Sequence, residues 1–324
     1  MNDQEQHNLI ESLKTKLVAA SRQNFVFLLI GRTGVGKSST VNSLMGKEVA
    51  PVGDYEATTM EVKEYPSELS GIQFKVIDTP GLCDDFEEEG NDYVYLQKIR
   101  SHSKQVDSMW FVSRLDETRV TTDERRGIKL ISEAFGAEVW KHAIIVFTFA
   151  NKVDAEKYPV ALEKRTQLIK NVITKYAGDE VASEIPSIAV DNLSETLPNG
   201  EKWMGELYTK VFTRISKRGL APFWVATADF ITPKEYIPAK NSGYDMNGSS
   251  YVGQSYSQRE EQPRIELNKS QKDEIKRTID ASIIPWMTTI GSGTGFAVAG
   301  PAGAAVGAVA GAAVGLVAWL FNKD

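Results

Sequence analysis

Gly31-Arg32-Thr33-Gly34-Val35-Gly36-Lys37-Ser38 fits the phosphate-binding loop pattern G-x-x-x-x-G-K-[ST] at every fixed position. Before it, Phe25-Val26-Phe27-Leu28-Leu29-Ile30 is a continuous apolar run, as a strand buried on both faces requires. After it, Ser39 through Met45 reads as the first turns of a helix. Strand, glycine loop and helix in that order are the context the motif needs. The glycines let backbone N–H groups curl around a β-phosphate, Lys37 reaches the β- and γ-phosphates, and Ser38 offers its hydroxyl to Mg²⁺. The helix dipole adds to the attraction. The expected nucleotide-contacting set here is Gly31, Thr33, Gly34, Val35, Gly36, Lys37, Ser38 and Ser39. A glycine-rich turn that ends by chance in Lys-Ser is the bland alternative, and the flanking strand and helix argue against it.

Further stretches follow where such a domain needs them. Residues 46–61 are polar, with Thr58 and Thr59 about twenty residues beyond Ser38. Nucleotide switches keep a threonine here that completes the Mg²⁺ shell when the γ-phosphate is present, and Thr59 is favoured over Thr58. Phe74-Lys75-Val76-Ile77 then reads as a short strand ending in Asp78-Thr79-Pro80-Gly81. Asp78 suits the carboxylate that holds Mg²⁺, and Gly81 would bring its N–H toward the γ-phosphate. Leu82 stands where Ras-like enzymes place a water-orienting Gln, which predicts slow intrinsic hydrolysis. The acidic run 84–91 reads as a solvated loop.

Apolar strands are expected at 108–112 and 143–149, with helices at 93–103, 122–135 and 160–176 and a last strand at 185–190. After the strand at 143–149 comes Asn151-Lys152-Val153-Asp154, the pattern of a guanine box. A carboxylate there accepts from the ring N–H and the exocyclic amine of guanine, a donor pair that adenine lacks. Alternating strands and helices predict a mainly parallel sheet with helices on both faces and a nucleotide at the carboxyl ends of the strands.

Composition bounds the rest. With 324 residues and 42% hydrophobic content, the chain can bury a sizeable core. A net charge of -6 supplies no basic field for a nucleic-acid backbone, so nucleic acid is not an expected partner. Cys83 is the single cysteine and cannot form an internal disulfide, which points to a reducing compartment such as the cytosol. Residues 1–23 carry Leu9, Ile10, Leu13, Leu17 and Val18 at helical spacing, an amphipathic helix expected to pack on the domain.

The boxes from 31 to 82, Arg114-Leu115-Asp116 with Arg119, Phe135-Gly136 with Trp140, and Leu197-Pro198-Asn199-Gly200 with Trp203 carry a family resemblance. Over residues 24–215 the chain resembles the septin-related AIG/TOC GTPases. These include the GTPase receptors of the chloroplast outer-envelope translocon and the immunity-associated AIG nucleotide-binding proteins. The resemblance implies nucleotide-dependent homodimerisation across the nucleotide face. It further implies that Arg119 reaches the partner's nucleotide and that Asp191 and Asn192 contact the base. TOC receptors usually show Thr-His-Ala-Gln where this chain has Thr148-Phe149-Ala150-Asn151.

Past a G domain at 24–220, residues 221–269 are expected to form a proline- and aromatic-bearing strap, from 221 to 239, and a flexible linker, from 241 to 264. Residues 270–280 read as a charged helix, and from 281 to 322 there is no charged residue. That run is about twice the roughly twenty residues that span a bilayer. Within it Gly303, Gly307, Gly311 and Gly315 recur every four residues, a spacing that allows close helix packing inside membranes. The segment 270–324 is thus expected to anchor the chain to membrane lipid, as one span at 302–321 followed only by a short tail or as a hairpin with 286–299. The whole predicts a GTP-hydrolysing, Mg²⁺-dependent switch on a membrane with its G domain facing the cytosol. The competing reading is a glycine-zipper membrane oligomer or remodelling protein whose assembly nucleotide controls. A P-loop ATPase or kinase is a third, which the guanine box opposes.

Overall fold

The computed structural model describes residues 25–52, 62–79, 91–102, 105–231, 241–244, 250–253 and 264–283. At its centre lies a six-stranded sheet in the order β2-β3-β1-β4-β5-β6. The strands are β1 (Phe25–Ile30), β2 (Lys63–Leu69), β3 (Ile72–Asp78), β4 (Ser108–Arg114), β5 (Ala143–Thr148) and β6 (Ser187–Ala189). All neighbours pair in parallel except β2, which runs antiparallel to β3 at the edge. The unbroken apolar runs of β1 and β5 are buried along their whole length, as strands covered on both faces must be.

β2 has no counterpart among the strands the sequence suggests. Its residues read as polar because only Tyr65 and Leu69 lean on the core, and Pro66 costs no ladder bond that a central strand would need. Ser70 and Gly71, both at positive φ, make the tight turn into β3.

Helices cover the sheet: α1 (Lys37–Met45), α2 (Asn91–His102), α3 (Thr122–Phe135), α4 (Tyr158–Ala177), α5 (Asp179–Glu184), α6 (Met204–Arg214), α7 (Lys217–Ile231) and α8 (Lys269–Thr278). α3 begins at a capping box in which Thr121 and Glu124 satisfy each other's backbone N–H groups, and its span matches the expected one. α7 corrects the expected strap. Pro222 lies inside it, at a cost of about 3 kcal/mol. Burial of Leu220, Phe223, Trp224 and Val225 outweighs that cost, at roughly 1.5–3 kcal/mol for each large apolar side chain. The Phe223 ring lies edge-on to Phe25 and Phe27, both 5.9 Å away, so α7 belongs to the same core as the sheet. Buried Asp107 pins its start, accepting from Val26 N at 2.9 Å and Arg218 Nε at 3.0 Å.

The core also extends beyond the expected linker. Ile265, Ile275 and Ile279 are fully buried, and α8, opened by an Asn268–Gln271 capping box, docks against α6. Arg264 lies over the Phe230 ring and donates to the carbonyls of Ser43 and Leu44 at the end of α1. Where composition predicts a flexible linker, β7 (Asn241–Tyr244) and β8 (Ser250–Gly253) pair as an antiparallel ribbon. Among the described residues no helix is long and apolar enough to cross a membrane. The expected amphipathic helix at 5–21 and membrane segment at 286–321 lie outside the described residues, as do Thr58, Thr59, Gly81 and Leu82.

Candidate functional site

Beyond the carboxyl ends of β1, β3 and β5 opens a cavity of about 450 Å³, a size that suits a nucleotide. Thr33, Gly34, Gly36, Lys37, Ser38 and Ser39 line it. Gly31 and Val35 do not; they hold the loop in shape. A Cβ on Gly31, at φ 151°, would stand 2.2 Å from the Val112 carbonyl oxygen, so no other residue fits. The Val35 carbonyl accepts from Thr148 Oγ1 at 2.6 Å, which binds the loop to the end of β5.

Lys37 is almost wholly buried, its ammonium donating to the carbonyls of Gly31 at 2.9 Å and Arg32 at 3.1 Å. Asp78 Oδ1 lies 3.6 Å from that ammonium and is buried with no hydrogen-bond donor. An orphaned carboxylate oxygen costs free energy unless something cationic meets it. A hard divalent cation held by one carboxylate, one hydroxyl and substrate phosphates fits this position, with Asp78 and Ser38 as its protein ligands. Beside them on β2, Lys63 and Tyr65 also face the cavity. Burial and then the Asp78 charge push the Tyr65 phenol up.

Thr148, Phe149, Asn151, Asp191 and Asn192 also line the cavity, Thr148 and Asn192 directly against the phosphate loop at Gly36. Phe149 adopts the left-handed region at φ 56°, which sharply turns the chain out of β5, and the Arg114 guanidinium sits 4.0 Å over its ring. Asp191 is buried and accepts from Leu193 N at 3.0 Å. Asn192 Nδ2 donates to Thr40 Oγ1 at 3.0 Å, tying the β6 loop to α1.

The expected guanine box is divided. Asn151 faces the cavity, whereas Lys152 and Asp154 are exposed outside its lining. The Asp154 side chain is 73% exposed and pairs with Lys157 at 2.8 Å, which holds its carboxyl below the usual range. A short 3-10 turn, Ala150–Lys152, carries Asn151 and precedes Asp154. Arg119 lies on an exposed turn after β4, also outside the lining. Sequence reasoning missed Lys63, Tyr65, Phe149 and Leu193. Phe149 alone had a signal, its place directly after a buried strand.

A glycine loop around a buried lysine, an aspartate at the end of the next parallel strand that faces that lysine with one oxygen lacking a hydrogen-bond donor, and the cavity beside them define a P-loop domain of the GTPase-like α/β class. The AIG1 family profile matches residues 26–186. Translocase of chloroplast 33 from Arabidopsis thaliana is 31% identical over 222 residues, 62% of this chain and 72% of that protein. Translocase of chloroplast 34 from the same plant is 33% identical over 59% of this chain and 66% of that protein. Translocase of chloroplast 101 from Physcomitrium patens is 28% identical over 57% of this chain. The chain spans only 22% of that last relative. The crystal structure of Toc33 from Arabidopsis thaliana in complex with GDP and Mg²⁺ superposes with a TM-score of 0.50 at 25% identity, covering 67% of this chain and 92% of that one. A dimerization-deficient mutant of Toc33 gives 0.51 at 24% identity and shares the fold. The chain belongs to the AIG1 family.

Proposed function

We propose that the chain binds guanine nucleotide with Mg²⁺ in this cavity and hydrolyses GTP to GDP and phosphate. The observation that carries the reading is the convergence of Lys37, Ser38, Asp78, Asn151 and Asp191 on one recess at the carboxyl edge of the sheet. Its relative Toc33 has been seen with GDP and Mg²⁺. Water attacks the γ-phosphorus, the bond to the β,γ-bridging oxygen breaks, and GDP leaves. Lys37, held by the Gly31 and Arg32 carbonyls, has a third N–H for the phosphates, and its charge meets the charge that develops there. Ser38 and Asp78 hold the metal. Held there, Mg²⁺ would supply positive charge against the phosphates. Asp191 accepts from the guanine edge, and Thr59 and Gly81 complete the γ-phosphate end. With Leu82 in place of a water-orienting amide, intrinsic turnover is slow.

Arg119 is exposed and its guanidinium makes no hydrogen bond or ion pair among the described residues. It is therefore available to a second copy, and pairing across the nucleotide face would set it on the partner's phosphates, where a planar, permanent charge is suited. The uncharged run 281–322 supports attachment to a membrane by that segment, with the G domain on the cytosolic side. The test is phosphate release from Mg-GTP by the intact chain, with Lys37→Ala as control. We expect slow turnover that rises with protein concentration and falls by orders of magnitude in Lys37→Ala or on chelation of Mg²⁺. Turnover by Lys37→Ala at the rate of the unsubstituted chain contradicts the assignment.

A further inference from the structure

Between the phosphate loop and the turn that carries Arg119 runs a chain of charged contacts that the nucleotide chemistry does not require. The Lys37 ammonium holds the Arg32 carbonyl at 3.1 Å. The Arg32 guanidinium binds Glu117 Oε1, and the other oxygen of Glu117 takes Arg165 Nη2 at 3.3 Å. Arg165, only 2% exposed, donates through Nη1 to the Arg119 carbonyl at 2.8 Å and through Nε to the Arg114 carbonyl at 3.3 Å. Its Nη2 is anchored on Glu124 at 2.6 Å and Ser113 Oγ at 2.7 Å. A buried guanidinium with every direction satisfied is a fixed point, because loss of any partner would leave a charge or donor uncompensated. Glu117 is different: it is partly exposed, and it joins the fixed point to the phosphate loop through charge, beside a neutral route that runs from Ser113 through Thr148 to the Val35 carbonyl.

We infer that Glu117 is a positioning residue that ties the phosphate loop to the Arg119 turn, so that occupation of the phosphate site is transmitted to the surface offered to a second copy. The inference rests on the proposed nucleotide site. Lys37 holds the Arg32 carbonyl in the arrangement described above, and a phosphate that takes its remaining N–H pulls on that contact. Arg32 then shifts, and Glu117, bound to both arginines, carries the shift to the turn at 115–120. Without the Glu117 carboxylate the ionic link is lost and the response of the turn to the loop is weakened. Residues joined in one ion-pair network couple by about 0.5–3 kcal/mol, a factor of roughly two to a hundred.

The experiment is hydrogen–deuterium exchange of the intact chain with and without Mg²⁺ and a non-hydrolysable GTP analogue, at concentrations below those at which copies associate. In the unsubstituted chain, nucleotide slows exchange both at 31–38 and at 115–120. Glu117→Gln, which keeps shape and removes the charge, should retain the slowing at 31–38 and reduce that at 115–120 by roughly threefold or more. Arg32→Ala, which cuts the link from the other side, should do the same, and melting temperatures without nucleotide should be little changed. An undiminished response at 115–120 in both variants overturns the tether while leaving the nucleotide site intact. No slowing at 31–38 in the unsubstituted chain overturns the nucleotide site and the tether together.

Discussion

Asp191 and Asp154 are both carboxylates able to accept from guanine, and their surroundings separate them. Asp191 is 4% exposed at the cavity wall, where a hydrogen bond to a ligand does not compete with bulk water. Asp154 is bound to Lys157 in solvent, an ion pair of the kind that contributes little. Asp191→Asn should therefore weaken GDP binding by about 10- to 100-fold, the range for hydrogen bonds to a charged group, and favour xanthine nucleotides relative to guanine. Asp154→Asn should leave GDP affinity within about twofold. Titration of both variants with labelled GDP checks this, and the reverse ordering would restore the guanine box to the role its sequence suggests. The phosphate loop was legible because its backbone geometry demands particular residues: nothing but glycine fits at Gly31. The base end was less so, since a tetrapeptide pattern does not fix which of its side chains lines a cavity, and here Asn151 does while Asp154 does not.

Among the elements, α7 and α8 show what local reading loses. Prolines and aromatics at 221–239 suggest a strap, yet the segment around Phe223 is helical, and the Phe223 ring packs against Phe25 and Phe27 across some two hundred residues of sequence. Periodicity within a segment carries no record of so distant a partner. The buried strands and α3 were legible for the opposite reason, their signals being contained in a few adjacent residues. Phe223→Ala should cost about 3–5 kcal/mol and lower the urea midpoint, with tryptophan fluorescence as the measure. A chain cut after residue 220 should fail to fold cooperatively. An unchanged midpoint in Phe223→Ala would mean that α7 is an appendage and not part of the core.

Across the whole molecule, among the described residues the core extends into α8 and the turn that follows it, since Ile275 and Ile279 are buried. Cutting at 264 would expose the surface they cover, so a fragment that keeps the core must extend at least through Ile279. We expect a chain of residues 1–283 to stay in the supernatant after membrane fractionation and the intact chain to resist carbonate extraction, because an apolar run of this length exposed to water is an aggregation hazard. An intact chain that is monodisperse without detergent would contradict attachment through 281–322. The central claim, that this P-loop domain of the AIG1 family is a guanine-nucleotide switch, is tested most directly by displacement of a labelled guanine nucleotide from the intact chain in Mg²⁺. GTP and GDP should displace it at concentrations at least about a hundredfold below ATP, since a site built to bond the guanine edge leaves its acceptor unpaired with adenine. Equal displacement by GTP and ATP would contradict the account.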